Sequence, residues 1–311
     1  MSDAGPSSTI GARDNVARGI AITVFTIIVF GAQDAMVKVL VQDYSSFQIV
    51  MMRYWAFAAF SIWLVARQAP LRQALRSHNP RLQVLRGLML IADIWLFAMA
   101  VGMVPLAELQ AINLVYPLMV TLFAIPLLGE KVGVFRFVAV GVGFCGALVI
   151  VRPGGLPLDW GVLYGLLASA FYALYIVLTR KVAQHDSTAT NMIYVGLIGL
   201  VLSSAVGVFH WQPMEFPAML LMGAVMITSC LGHGLMMVAL SMAPASVVQP
   251  FNYLTLPWAI TLSYLVFGHL IDGVSLIGAG VIVGAGLVVM ARERIKGRAK
   301  PSGAPGLPGK E

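Results

Sequence analysis

Residues 103–113 read MVPLAELQAIN, and residues 242–252 read MAPASVVQPFN. Both satisfy M-x-P-x₄-Q-x-x-N: Met103, Pro105, Gln110 and Asn113 in the first, Met242, Pro244, Gln249 and Asn252 in the second, 139 residues apart. The same offset pairs Gly129 with Gly268, Gly141 with Gly280 and Leu148 with Leu287. A register shared over roughly 45 residues marks two copies of one unit. Each copy sets a proline and two amides in an otherwise apolar stretch, where polar groups without partners are costly. That combination points to a site between the copies.

Working outward, the chain is 59% hydrophobic and only 11% charged, where soluble domains average about a quarter charged. Ten apolar runs emerge, of the roughly 17–25 residues that span a bilayer. They are Gly19–Leu40, Ser46–Ala66, Gln83–Gly102, Leu106–Leu128, Gly133–Val151, Gly161–Arg180, Met192–His210, Pro217–Leu240, Ala245–Phe267 and Val274–Met290. The first is too long for the core of a signal peptide and reads as a retained helix. The expected organisation is a cytoplasmic segment 1–18, a first repeat 19–151, a second repeat 159–291 and a basic, Pro/Gly-rich tail 292–311 without regular structure.

Basic residues orient the runs. With the N-terminus inside, the inner segments hold Arg13 and Arg18; Arg67, Arg72, Arg76, Arg81 and Arg86; Lys131 and Arg136; Arg180 and Lys181; and the six of the tail. The outer segments hold only Arg152, while Lys38 and Arg53 lie within runs. Both termini are therefore expected in the cytoplasm of a bacterial cell, with the chain in the inner membrane. Five runs per copy is an odd number, so the second copy enters from the opposite face. The expected fold is all-α and integral to the membrane, with ten transmembrane helices as two inverted five-helix repeats. In secondary transporters of this kind the substrate sits near the midplane between the repeats.

Gln110 and Asn113 share one helix face at i and i+3, and Gln249 and Asn252 lie equally deep from the other side. Four amides converging on one region suit a neutral polar heterocycle or a zwitterion. The alternative is hydrogen bonding between helices as structural glue. Trp95, Tyr116 and Tyr253 are candidate stacking surfaces for a flat substrate, or ordinary packing. Pro117, Pro250 and Pro257 interrupt their runs as hinges or as static kinks.

Four intramembrane groups are candidates for coupling or gating. Asp34 and Arg53 fall at similar depth and are expected to pair, because a lone charge at the bilayer centre costs about 2.5–3.5 kcal/mol on the mildest scale. Asp93 has no evident partner and is a candidate proton or cation site. His233, between Gly232 and Gly234, is either a proton relay or a satisfied hydrogen-bonding group.

Other chemistries find no support. GVGFCG at 141–146 matches G-x-G-x-x-G formally, but lacks the preceding strand and the downstream acid, and lies inside an apolar run. No P-loop motif occurs. Cys145 and Cys230 frame neither a disulfide scaffold nor a metal site, and no cofactor is implied. The net charge of +7 sits in short loops and tails, which argues for membrane topology over nucleic acid. An intramembrane enzyme would need a clustered nucleophile and base, or several ligands at one depth. The expected partners are a small-molecule substrate and the lipid bilayer.

Arg86-Gly87-Leu88, Pro105 to Pro117, Gly129-Glu130-Lys131, and Tyr172 to Tyr175 leading into Arg180-Lys181 make the chain resemble drug/metabolite transporters with two EamA-type repeats. The resemblance implies ten helices, cytoplasmic termini, a cavity lined by the third, fourth, eighth and ninth helices, and movement of small metabolites by alternating access. Within that group, Asp34 with Lys38 and Arg53, and the stretch Gln249 to Tyr253, are most similar to bacterial riboflavin importers. Uptake carriers for S-adenosylmethionine and exporters of amino acids are close alternatives. The second copy departs from the first at Gly268-His269, where the first has Gly129-Glu130.

Overall fold

The computed structural model describes residues 7–298 apart from 69, 131–132, 153–156 and 244, and the side chains of a few others, Gln249 among them, fall outside this set. In chain order the α-helices are α1 (Ser7–Leu40), α2 (Ser46–Gln68), α3 (Leu71–Ala74), α4 (Pro80–Met103), α5 (Leu106–Asn113), α6 (Tyr116–Leu128) and α7 (Val134–Ile150). There follow α8 (Trp160–Val182), α9 (Thr188–Gly207), α10 (Phe216–Met242), α11 (Ala245–Val248), α12 (Thr255–Phe267) and α13 (Gly273–Arg298). Short 3₁₀ turns cover Val208–His210 and Gln249–Leu254. No strand occurs among the described residues. The protein is a multi-pass, all-helical membrane protein.

Eight described segments are long and apolar enough to cross a bilayer, including Leu106–Leu128 taken as a whole. The other two apolar runs fall short for local reasons. The fifth keeps a shorter apolar helix, Phe137–Ile150, and the ninth is divided into α11, a 3₁₀ turn and α12, with Pro250 at the start of the turn and Pro257 near the start of α12. Both ends of the chain correct the sequence reading. Helix α1 begins at Ser7 rather than Gly19, and α13 continues to Arg298, so residues 292–298 of the tail are helical. Arg86, counted by sequence with the inner segments at the opening of the third run, is buried within α4.

Caps set several boundaries. The Asp159 carboxylate accepts from the Val162 N–H at the start of α8, and the Ser187 hydroxyl accepts from the Thr190 N–H at the start of α9. Gly129 and Gly268 end α6 and α12 in the left-handed region, at φ 69° and 66°, a conformation that favours glycine. These two glycines are 139 residues apart, as are both ends of the 13-residue helices they close.

The helix contacts fall into matched pairs. α4 packs on α8 as α10 packs on α1, α6 on α8 as α12 on α1, and α4 on α9 as α10 on α2, while α2 meets α9 and α7 meets α13. Two groups of loop contacts mark the bundle's ends. At one, Asp186 accepts from Ser77, from the His78 N–H and from Gln83, and Lys181 reaches the Leu127 carbonyl. Burial pushes the Asp186 carboxyl up, but these hydrogen bonds outweigh it and hold the group below the usual carboxylate range. They therefore stabilise the fold above the ordinary aspartate pKa and are lost as pH falls through the lowered value. At the other end the Glu215 N–H donates to the Tyr44 hydroxyl, and Arg152 pairs with Asp272 at 2.7 Å. Helix α1 enters and α13 leaves at the Asp186 end, with Gly19 beside Ala243 and Arg292 over the Phe135 ring.

Without hydrophobic drive between helices in lipid, close packing relies on small residues. At the α7–α13 crossing, a Cβ on Gly146 would lie 2.7 Å from the Gly278 carbonyl oxygen, and one on Gly278 2.6 Å from that of Gly146. A backbone atom cannot swing aside as a side chain can. Gly278→Val is thus expected to destabilise by about 1–3 kcal/mol, read as a fall of several degrees in the melting temperature of the purified protein. Gly280→Val, whose Cβ would meet nothing within 4 Å, should leave it unchanged.

Candidate functional site

The fourth and ninth runs both break at the repeated motif. α5 ends at Asn113, two residues turn, and α6 starts at Tyr116 with Pro117 in its first turn. In the second copy the corresponding stretch is the 3₁₀ turn holding Gln249, Pro250 and Asn252. A proline has no N–H, and a 3₁₀ turn pairs its backbone differently from an α-helix. Backbone carbonyls are thereby released inside the bundle at the same motif position in both copies.

Around these breaks lies a polar centre supplied by α1, α2, α4, α5 and α10. Gln110 Nε2 donates to Asp34 Oδ2 at 2.7 Å. Arg53 interacts electrostatically with both Asp34 and Asp93, and Asp93 is 9% exposed. The hydrogen bond that the Asp34 carboxylate makes thus comes from Gln110, and no ion pair to Arg53 within 4 Å occurs among the described residues. The sequence left Asp93 without a partner, whereas the structure sets it in the field of Arg53. His233 of α10 sits between the rings of Phe30 and Phe57, at 5.3 and 4.8 Å, with Nδ1 2.8 Å from the Ser229 carbonyl oxygen.

A second group spans the two copies. Asn113 Oδ1 accepts from the Ser169 hydroxyl of α8 at 3.2 Å. The Tyr116 and Asn252 side chains face each other, one from each broken run. Tyr116 meets Tyr172 edge-on at 4.8 Å, and Tyr172 stacks on Tyr175 at 6.0 Å. Of the remaining candidates, Trp95 packs edge-on to Phe47 at 5.7 Å, and its indole N–H is buried without a partner among the described residues. The Tyr253 hydroxyl lies against Gly286 of α13 and interacts electrostatically with Tyr116. The side chain of Gln249, and Pro244 entirely, lie outside the described residues.

Sequence reasoning passed over three residues that matter here. Tyr54, next to Arg53, is 4% exposed and interacts electrostatically with Arg53, Tyr175 and Asp93. Ser169 holds Asn113. Arg86 donates to the Asn191 carbonyl and to Gln83, and its guanidinium stands 5.6 Å from the Tyr175 ring. Only Arg86 carried a signal, as a cation at the edge of an apolar run. An apolar groove of about 970 Å³ between α2 and α10, lined by Phe60, Met226, Cys230 and Met237 among others, is separate from the polar centre.

The EamA-like transporter family model matches residues 17–152 and again 159–291. The chain belongs to this family. As a family member it is similar to a riboflavin transporter of Vibrio cholerae, 30% identical over 83% of this chain and 89% of that protein. It is also similar to an S-adenosylmethionine uptake transporter of Rickettsia bellii, 23% identical over 89% and 94%, and to a pseudopaline exporter of Pseudomonas aeruginosa, 25% identical over 90% and 98%. A solved crystal structure shares the fold with a TM-score of 0.62 at 19% identity, covering 90% of this chain and 99% of that one. The EamA-family chain is a membrane transporter.

Its polar centre depends on paired groups, and leaving one partner of a buried hydrogen bond alone costs about 1–3 kcal/mol. Gln110→Leu should therefore lower the melting temperature measurably. The double variant Asp34→Leu/Gln110→Leu, with both partners apolar, should recover most of that loss in a double-mutant cycle.

Proposed function

We propose that this protein takes up riboflavin across the bacterial inner membrane by alternating access between two inverted five-helix units, residues 19–151 and 159–291. The observation that carries the reading is the pair of runs interrupted at the repeated motif, with the Tyr116 and Asn252 side chains facing each other. The matched contacts of α4 with α8 and α10 with α1, of α6 with α8 and α12 with α1, and of α4 with α9 and α10 with α2 support it. On this reading the chain crosses ten times, with the Asp186 end and both termini in the cytoplasm, and Arg152, the cation of the outer segments, pairs with Asp272. Gln110, Asn113, Gln249 and Asn252 supply donors and acceptors for the edges of the isoalloxazine, and Trp95, Tyr116 and Tyr253 supply aromatic surface. Asp34, Arg53, Asp93 and His233 serve coupling and gating. The name of the Vibrio cholerae relative favours riboflavin among the substrates such a site accepts.

A second reading rests on charge. Two carboxylates inside the bundle, Asp34 and Asp93, interact with one guanidinium, Arg53, leaving the centre short of a cation when both acids are ionised. A proton fills that place during uptake of a neutral flavin, and a cationic substrate fills it directly. S-adenosylmethionine, named for the Rickettsia relatives, carries a sulfonium.

Purified protein in vesicles should accumulate riboflavin faster than empty vesicles, with S-adenosylmethionine competing poorly. Expression should let a riboflavin auxotroph grow on limiting riboflavin. Well-inserted protein that moves S-adenosylmethionine but not riboflavin would overturn the first reading in favour of the second.

A further inference from the structure

At the end of the bundle opposite the termini, α5 and α12 are joined by side chains. Glu108 lies in the first turn of α5, and His269 follows the glycine that closes α12. His269 Nε2 stands 2.8 Å from Glu108 Oε1, with the two side chains 41% and 7% exposed. The imidazole thus meets water while the carboxylate lies inside. Glu108 Oε2 is buried without a partner among the described residues, so its charge is only half compensated.

The other charged groups nearby are accounted for. From α1, Lys38 donates to the Val101 and Val104 carbonyls at 2.7 and 2.8 Å, stands 5.6 Å from the Phe267 ring and interacts electrostatically with Glu108. Arg152 at the end of α7 and Asp272 in the same loop as His269 close on each other at 2.7 Å. The arrangement belongs to one end only. At the 139-residue offset, Lys38 and Glu108 correspond to Val177 and Val247, and His269 to Glu130.

We infer that Glu108 and His269 form a proton site that latches α5 to α12 at the outer mouth. The inference rests on the alternating-access reading. Imidazole ordinarily titrates between pH 5 and 8. With Nε2–H directed at the carboxylate, an added proton goes to Nδ1 and turns a hydrogen bond with charge on the acceptor alone into an ion pair between imidazolium and carboxylate. External acid therefore closes the mouth, and alkaline conditions loosen it.

Spin labels replacing Met103 and Leu270, both exposed, in a full-length Cys145→Ala/Cys230→Ala background in lipid nanodiscs without substrate, read the latch by electron–electron distance. The ratio of the short to the long distance population should rise by up to roughly five-fold from pH 8 to pH 5.5, the size of a partly exposed ion pair. Glu108→Gln and His269→Gln should abolish the response, and His269→Lys should give the acid-type distribution at both pH values. Identical wild-type distributions at the two pH values, or a response that survives in either Gln variant, would overturn the latch. A protein that behaves as expected here yet fails to move riboflavin refutes only the substrate reading.

Discussion

A helix interrupted within hydrocarbon must give its released backbone groups to other protein groups, to water or to a bound molecule, because lipid offers none. This constraint organises the protein. Both interruptions fall at the repeated motif, and side chains around them are tied inward, Gln110 to Asp34 and Asn113 to Ser169. The uninterrupted helices α4, α8, α1 and α10 form the frame that holds these breaks. Substrate exchange then requires that the inward ties be rearranged while the surrounding helices keep the region shielded from lipid.

Charge in the same region is spare rather than absent. Arg53 is shared by two acids on different helices, so moving α1 or α4 relative to α2 changes which acid it serves. A group of this kind is sensitive to an arriving proton or cation, since adding one positive charge balances the centre. The outer Glu108–His269 contact has no counterpart of the same chemistry at the other end. On the proposed inverted scaffold, the two gates would therefore respond to different signals.

Much of the helical, multi-pass fold was legible, because apolar runs of spanning length are read directly from composition. The limits of that reading are physical. Prolines marked the ninth run as interrupted, but periodicity and apolarity do not reveal that the interruption takes the form of α11, a 3₁₀ turn and α12. At both chain ends helical hydrogen bonding continues past the apolar boundary, to Ser7 and to Arg298, where hydropathy gives no signal. At the site, sequence singled out Asp34 and Gln110 separately but paired Asp34 with Arg53, because depth along a helix is readable and rotation about its axis is not. Ser169 and Tyr54 were passed over because a serine or tyrosine in a membrane helix is unremarkable until its neighbour is known.

The central claim is that a substrate binds at the junction of the two interrupted runs. It is tested most directly by a cysteine replacing Asn252 in a background lacking Cys145 and Cys230, probed with a water-soluble maleimide. The account predicts that the thiol is labelled from the aqueous phase and that riboflavin slows the labelling. A thiol that stays inert from both sides of the membrane, or one whose labelling neither riboflavin nor S-adenosylmethionine alters, would contradict it.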